Sequence, residues 1–248
     1  MQRFFVSPRA IDRGQVEFAR DQSRQIATVL RARVGERVIV LDNQGWLYEV
    51  RLDQVHPEAT WGTVISRRLA PNEPRTKLTL YTALLKGDKL ELVFQKCTEI
   101  GVSGFVPIIC ERCVVGSIVS EHRQARWERI ITEAAEQSER GRLPSLQPAM
   151  LFQQACEQVR GRGLSFIAWE RGERSSLRAA LAARARESAR PFVVNLFTGP
   201  EGGFTEDEIA TASAYGIIPV GLGPRILRAE TAPIVGATLV LAHGGDLE

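Results

Sequence analysis

Residues 192–208 read FVVNLFTGPEGGFTEDE. The apolar run FVVNLF has the composition of a buried strand. Thr205, with Glu208 three residues later, has the capping-box spacing that starts a helix. Between them lie Gly199, Gly202 and Gly203, which permit positive φ and let backbone approach a ligand closely. The stretch therefore predicts a strand, a tight loop and a helix, with the loop at the strand's carboxyl end, where open α/β sheets bind ligands. Gly-rich loops in that place often hold phosphate, but the Lys-Ser/Thr of a P-loop and the GxGxxG of a dinucleotide loop are both missing. Glu201 at the centre would repel phosphate. It suits ribose hydroxyls, an adenine amino group or a cationic ligand; a tight turn with a solvated glutamate is the plain alternative.

Working outward, strands and helices alternate. KLTLYTALL, FVPIIC, SFIAWE and IIPVGL read as further strands. GDKLELVFQKCTEIGV reads as a helix with Leu90, Val93, Phe94, Cys97 and Ile100 on one face and Gly101 as its stop. EHRQARWERIITEAAEQSER reads as a longer helix with Trp127, Ile130, Ile131 and Ala134 inward. SLRAALAARARE and TEDEIATASAYG supply two more. This alternation predicts a mainly parallel sheet covered on both faces.

The first seventy residues are different. RVIVLDNQGWLYEVRL predicts a hairpin around DNQG, and FFV and TWGTVISRRL add strands. DQSRQIATVLRARVG has helical spacing at Ile26, Val29 and Leu30, with Gly35 as its stop. A small β-barrel with one short helix follows. The two prolines of APNEPR (70–75) mark the boundary, so the expected domains are residues 1–70 and 71–248.

Composition excludes several classes. Among 248 residues, 44% hydrophobic and 25% charged are ordinary globular values. No stretch approaches the roughly 20 apolar residues of a membrane span, and MQRFFVSPRA lacks the apolar core of a signal peptide, so a cytoplasmic protein is expected. Four cysteines are too few for a disulfide scaffold. Only Cys110 and Cys113 have a suggestive spacing; without a second ligand pair no metal site is expected, and inert buried thiols are. The net charge is +3, and residues 1–70 carry 11 Arg against 8 acidic residues while the remainder balances. The side chain suited to bidentate phosphate contacts is thus concentrated in the N-terminal part, a weak polyanion preference.

A second motif, GLGPRILRAETAPIVGATLVLAH (221–243), follows IIPV. Thr231 is the expected N-cap of a helix whose first turn tolerates Pro233. That helix is apolar nearly all round, which predicts burial, partly against a second subunit; Gly236 would permit close contact with another helix. Arg228 and Glu230 are polar groups held just before it, either paired with each other to satisfy a turn or free to act.

GPEGGF followed by LGPRILRAETA resembles the cofactor signature of the SPOUT-type (α/β-knot) RNA methyltransferases, and specifically the RsmE family. The likeness runs the whole length: RFFV, ATVLRARVGE and LDNQGWLYEV resemble that family's PUA-like RNA-binding module, and KGDKLELVFQKCTEIGV, ERCVV and RWERIITEAAEQSER its central segments. Departures are Gln25-Ile26 where the family has His-Leu, Cys113 where it has Ser, and the run after EQS. The resemblance implies a SPOUT-type trefoil-knotted α/β domain behind a PUA-like β-barrel, a homodimer, and S-adenosylmethionine-dependent methylation of N3 of a uridine in 16S ribosomal RNA, within the 30S subunit. It implies cofactor binding by Leu196, Thr198, Gly199, Glu201, Gly202, Gly203, Leu222, Gly223, Ile226, Leu227, Arg228, Thr231 and Ala232. Arg228 and Glu230 are the expected catalytic residues. Methylation of another RNA, or a noncatalytic RNA-binding assembly role, are the alternatives.

Overall fold

The computed structural model describes residues 1–114, 119–171, 175–185 and 193–248. Val115 of ERCVV, Phe192, and Arg186 and Glu187 at the end of SLRAALAARARE lie outside them. The chain forms two compact units: Met1–Glu73 with Ala135–Leu143, and Pro74–Ala134 with Pro144–Glu248.

In the first unit, β1 (Arg3–Phe5), β2 (Ile11–Asp12), β3 (Gln15–Glu17), β4 (Arg37–Leu41), β5 (Trp46–Gln54) and β6 (Trp61–Leu69) form a six-stranded sheet in the order β1-β4-β5-β6-β3-β2. Only the β1–β4 pair is parallel among these strands. The sheet curls into a PUA-like half-barrel. The predicted hairpin is β4–β5: Asp42 accepts the N–H groups of Gln44 (2.8 Å) and Trp46 (3.1 Å), while Asn43 (φ 58°) and Gly45 (φ 100°) supply the left-handed geometry. Phe4, Val16, Phe18, Ile26, Val40, Val50 and Leu52 fill its core.

Two expectations fail here. Helix α1 (Arg20–Arg24) runs into a wider π turn over Gln25–Val29, in which the Leu30 N–H reaches Gln25 O at 3.0 Å. The extra residue in the turn rotates the face, so Ile26 is buried but Val29 is 73% exposed. The chain also turns away at Arg31 (φ 52°), well before Gly35.

The segment Ala135–Leu143 is held to the linker by charge. Arg140, 3% exposed, grips Glu73 with Nε (3.2 Å) and Nη2 (2.9 Å), and the Gly141 and Arg142 N–H groups add bonds of 3.0 and 3.1 Å to the same carboxylate. A buried guanidinium is tolerated only with this degree of satisfaction.

The second unit holds β7 (Lys77–Ala83), α2 (Lys89–Ile100), β8 (Gly104–Ile109), α3 (Glu121–Gln137, whose end from Ala135 belongs to the first unit), β9 (Ser145–Leu146), β10 (Met150–Leu151), α4 (Phe152–Val159), β11 (Leu164–Ala168), β12 (Ser175–Ser176), α5 (Leu177–Ala185), β13 (Val193–Thr198), α6 (Glu206–Ala214), β14 (Ile218–Gly221) and α7 (Thr231–Gly244). Among the described residues every strand pair here is parallel, in the order β10-β8-β7-β13-β11-β14-β12, with β9 also on β8. Neighbouring residues of one strand enter opposite cores, as strand periodicity requires. Leu80 and Leu196 join Phe94, Trp127, Val240 and Leu241 on one face; Tyr81 and Phe197 join Phe152 and Ile209 on the other. The expected faces hold on α2 and α3: Leu90, Val93, Phe94 and Cys97 are fully buried, as are Trp127 and Ile131 nearly, while Ile100 and Ile130 are half-buried. Phe94 meets Trp127 edge-on at 5.3 Å. Gly101 (φ 117°) ends α2 as expected.

Helix α7 begins differently from its sequence reading. Glu230, not Thr231, is the N-cap residue, and no side chain caps the helix. Gly236 permits a close approach to a strand rather than a helix: a Cβ there would lie 2.5 Å from a Leu196 methyl. Pro233, Ala237, Val240 and Leu241 are buried, whereas Ile234, Val235 and Leu239 are half-buried. Among the described residues no helix is long and apolar enough to cross a membrane.

Candidate active site

β13 is hydrogen-bonded on both sides, to β7 and β11, so the loop that leaves its carboxyl end is anchored from below. Thr205 then caps α6: its hydroxyl accepts the Glu208 N–H at 3.2 Å, and Glu208 accepts the Thr205 N–H at 2.9 Å. The capping box of the sequence is therefore present, and Glu208 takes the Glu111 N–H as well, at 2.9 Å. Glycine is needed within the loop at Gly203, where φ is 69° and a Cβ would stand 2.8 Å from Glu170 Oε1.

That loop faces the segment after β14, and a cleft of about 500 Å³ opens between them. Its walls contain Gly199, Glu201, Gly202, Gly203, Leu222, Gly223, Ile226, Leu227, Arg228, Glu230 and Ala232, all expected from sequence. Three expected residues stand outside the wall. Leu196 is fully buried and packs on Gly236. Thr198 is fully buried beneath the loop, its hydroxyl without a partner. Thr231 lies in the first turn of α7, its N–H bonded to Arg228 O at 2.9 Å.

Glu201 does not point a free carboxylate into solvent. It accepts the Lys86 N–H at 3.2 Å and the Lys89 ammonium at 3.0 Å. Burial would raise its carboxyl, but the Lys89 hydrogen bond and the backbone donors, Lys86 among them, outweigh it, so the group is held below the ordinary carboxylate value. The same ammonium stands 3.8 Å from Glu230 Oε2, a buried oxygen with no hydrogen-bond partner. Arg228 approaches the other oxygen of Glu230 only to 3.9 Å, and its side chain is 86% exposed. The two are thus a loose pair, leaving the guanidinium open to solvent.

Several contributors escaped the sequence reading. Lys89 and, at the end of β11, Trp169 and Glu170 line the cleft. Arg112 supports the loop from behind, donating to Gly202 O at 2.9 Å and Phe204 O at 3.4 Å. A signal for Lys89 existed: a lysine at the first position of a helix opposes the helix dipole and so needs a separate reason. Trp169 and Glu170 follow a strand, where the site was already expected; Arg112 gave no signal.

The cysteines differ from the expectation of uniformly inert thiols. Cys97, Cys110 and Cys156 are buried, but Cys113 is half-buried. Its thiol is lowered to about 7, chiefly by the hydrogen bond with Cys110, whose own thiol is raised by the same contact and by burial. Among the described residues no cluster of three or more His, Cys, Asp or Glu has the arrangement of a metal site.

The cleft suits a ligand with flat, uncharged and cationic parts. Glycine backbone, the apolar Leu222, Ile226 and Leu227, the carboxylates Glu170, Glu201 and Glu230 and the cations Lys89, Arg171, Arg225 and Arg228 all line it. Lys89, the lysine beside the glycines, is engaged by Glu201 at 3.0 Å rather than left to cradle a phosphate.

Comparison with known proteins points the same way. The family model of an RNA methyltransferase domain matches residues 71–241. The chain is 38% identical over 242 residues to a ribosomal RNA small subunit methyltransferase E of Synechocystis sp., covering 97% of this chain and 77% of that protein. It is 30% identical over 248 residues to the protein of that name from Bacillus subtilis, covering 97% and 96%. Among solved structures it is similar to a ribosomal RNA small subunit methyltransferase E from Neisseria gonorrhoeae, crystallised bound to S-adenosyl methionine, with a TM-score of 0.84, 29% identity and 96% and 95% coverage.

Proposed function

The chain belongs to the ribosomal RNA small subunit methyltransferase E (RsmE) family, and from that premise we propose that it transfers a methyl group from S-adenosylmethionine to N3 of a uridine in 16S ribosomal RNA. The observation that carries this reading is the cleft itself, in which the two glycine motifs face each other with Arg228 and Glu230 at the rim of the second. The residues present fit the cofactor: glycine backbone leaves open space at Gly223, where a Cβ would meet nothing within 4 Å, the apolar wall accepts a purine, and carboxylates accept hydroxyls and positive charge. Gly199, Glu201, Gly202, Gly203, Leu222, Gly223, Ile226, Leu227 and Ala232 would hold it. Leu196, Thr198 and Thr231 would act from beneath, by setting the positions of those walls. When bound, S-adenosylmethionine supplies an electrophilic methyl on a sulfonium.

The chain's own residues supply the remainder. Uracil N3 is protonated and poorly nucleophilic at neutral pH, so its proton must leave before or during attack. Glu230 takes it, through the carboxylate oxygen turned toward Arg228. The exposed Arg228 guanidinium stabilises the negative charge that develops on the uracil. N3 lies on the Watson–Crick edge, so the uridine enters the cleft unpaired or flipped out. The arginine-rich first unit holds surrounding RNA through phosphate contacts. A homodimer, with the half-buried apolar residues of α7 covered by a second copy, a 30S particle as the substrate, and a cytoplasmic location complete the reading.

The test is methyl transfer from labelled S-adenosylmethionine to 16S RNA or 30S particles, read as the methylated nucleoside. The wild-type chain yields N3-methyluridine, and Arg228→Ala and Glu230→Ala each lose roughly 100-fold or more in turnover at saturating cofactor. If both variants kept near-normal turnover, the assignment of roles would be wrong. Absence of S-adenosylmethionine uptake in calorimetry would favour a noncatalytic assembly factor instead.

A further inference from the structure

Lys89 has no part in the reading above, yet it occupies the place where the two motifs meet. It is the first residue of α2, where a positive charge opposes the helix dipole. Its ammonium is 3.0 Å from Glu201 on the Gly-rich loop and 3.8 Å from Glu230 at the start of α7. Three segments distant in sequence therefore share one cation. A local electrostatic preference overruled at a site is the mark of a requirement imposed by the site.

We propose that Lys89 is the positioning residue of this active site: its ammonium ties the GPEGGF loop to the segment that carries Arg228 and Glu230, and holds the Glu230 carboxylate with one oxygen turned to the substrate. The proposal rests on the assignment of Glu230 as the proton acceptor. The buried Oε2 of Glu230 has no hydrogen-bond donor, and Lys89 is the cation beside it. With Oε2 tied inward, the other oxygen is the one left at the cleft. The charged groups around Glu230 are Lys89 from α2, Arg228 from its own segment, and Glu201, which faces the same ammonium. Glu170, Arg171 and Arg225 also line the cleft.

The variants Lys89→Met and Lys89→Arg separate this role from a structural one. In the ligand-free protein, hydrogen exchange of peptides covering 199–204 and 228–232 is faster in Lys89→Met, near wild type in Lys89→Arg, and unchanged in β7, β8 and β13. Methyl transfer by Lys89→Met falls roughly tenfold or more in kcat, the expected cost of a misplaced catalytic group, and Lys89→Arg restores most of it. A Lys89→Met protein with wild-type loop exchange overturns the proposal, as does one whose kcat is unchanged. Should the wild-type chain methylate no uridine N3, the functional reading fails, and loop exchange together with the affinity for S-adenosylhomocysteine still decides whether Lys89 ties the two segments.

Discussion

At the scale of single residues, Cys113 shows how neighbours change chemistry that the sequence spells alike. Spacing alone sets Cys110 and Cys113 apart from the other two cysteines in the sequence, but the Cys110 N–H donates to the Cys113 sulfur at 3.3 Å and the Cys110 thiol adds a second bond. The thiolate is the reactive form, and at a value of about 7 much of Cys113 is ionised at neutral pH. Burial pushes Cys156 up to about 12 and Cys97 higher still. Limited alkylation with iodoacetamide at pH 7.5 should therefore label Cys113 first, and the rate should fall as the pH is lowered through 7. Peptide mass spectrometry checks this; equal labelling of Cys113 and Cys156 in the folded protein contradicts it. Glu201 teaches the same lesson. Its sequence position argued against phosphate, and the structure adds that its carboxylate is engaged by Lys89 and by the Lys86 N–H. Because its carboxyl is held below the ordinary value, the contribution it makes is present above the ordinary carboxylate range and lost as pH falls through the lowered value.

At the scale of elements, the loop between β13 and α6 depends on supports at both ends. Thr205 and Glu208 fix its exit, and Arg112 clamps its carbonyls. Arg112→Ala should weaken S-adenosylmethionine binding about tenfold while lowering stability by about 1 kcal/mol, since a charged donor to backbone carbonyls is lost at a partly exposed site. Calorimetry and thermal unfolding separate the two effects; unchanged affinity with a lowered Tm would make Arg112 a purely structural residue. The elements themselves were largely legible. Short apolar runs placed β7, β8, β11, β13 and β14, and a 3.6 period placed the inner face of α2, because strands buried on both faces and helices buried on one impose those patterns. What resisted was governed by other physics. The π turn after α1 exposes Val29 against its apolar character. The N-cap of α7 passed to Glu230 because the turn before it is closed by backbone bonds from Thr231 and Ala232 to Arg228 O. Most of the cleft wall could be named because two glycine motifs carry it. Lys89 and Glu170 join the wall from other segments, and Arg112, behind the loop, carried no signal because only tertiary structure brings it there.

At the scale of the whole molecule, the division of labour is one of charge and of fold. The first unit is a curled mixed sheet rich in arginine, and the second a parallel sheet covered on both faces. On the proposed function, the arginine-rich first unit holds phosphate while the cleft takes one base, which predicts an affinity for RNA governed by salt and a cofactor affinity that is not. Titration of 16S RNA fragments at increasing salt should give a log–log slope of several units, about 0.7 to 0.9 for each phosphate contact. Binding of S-adenosylhomocysteine should hardly change over the same range. Uridine methylation itself is tested by deleting the gene in the organism that carries it and mapping methylated uridines across 16S ribosomal RNA by mass spectrometry. One N3-methyluridine should disappear, return with the wild-type gene, and not return with Glu230→Ala; persistence of every methylated uridine in the deletion strain would refute the proposed reaction.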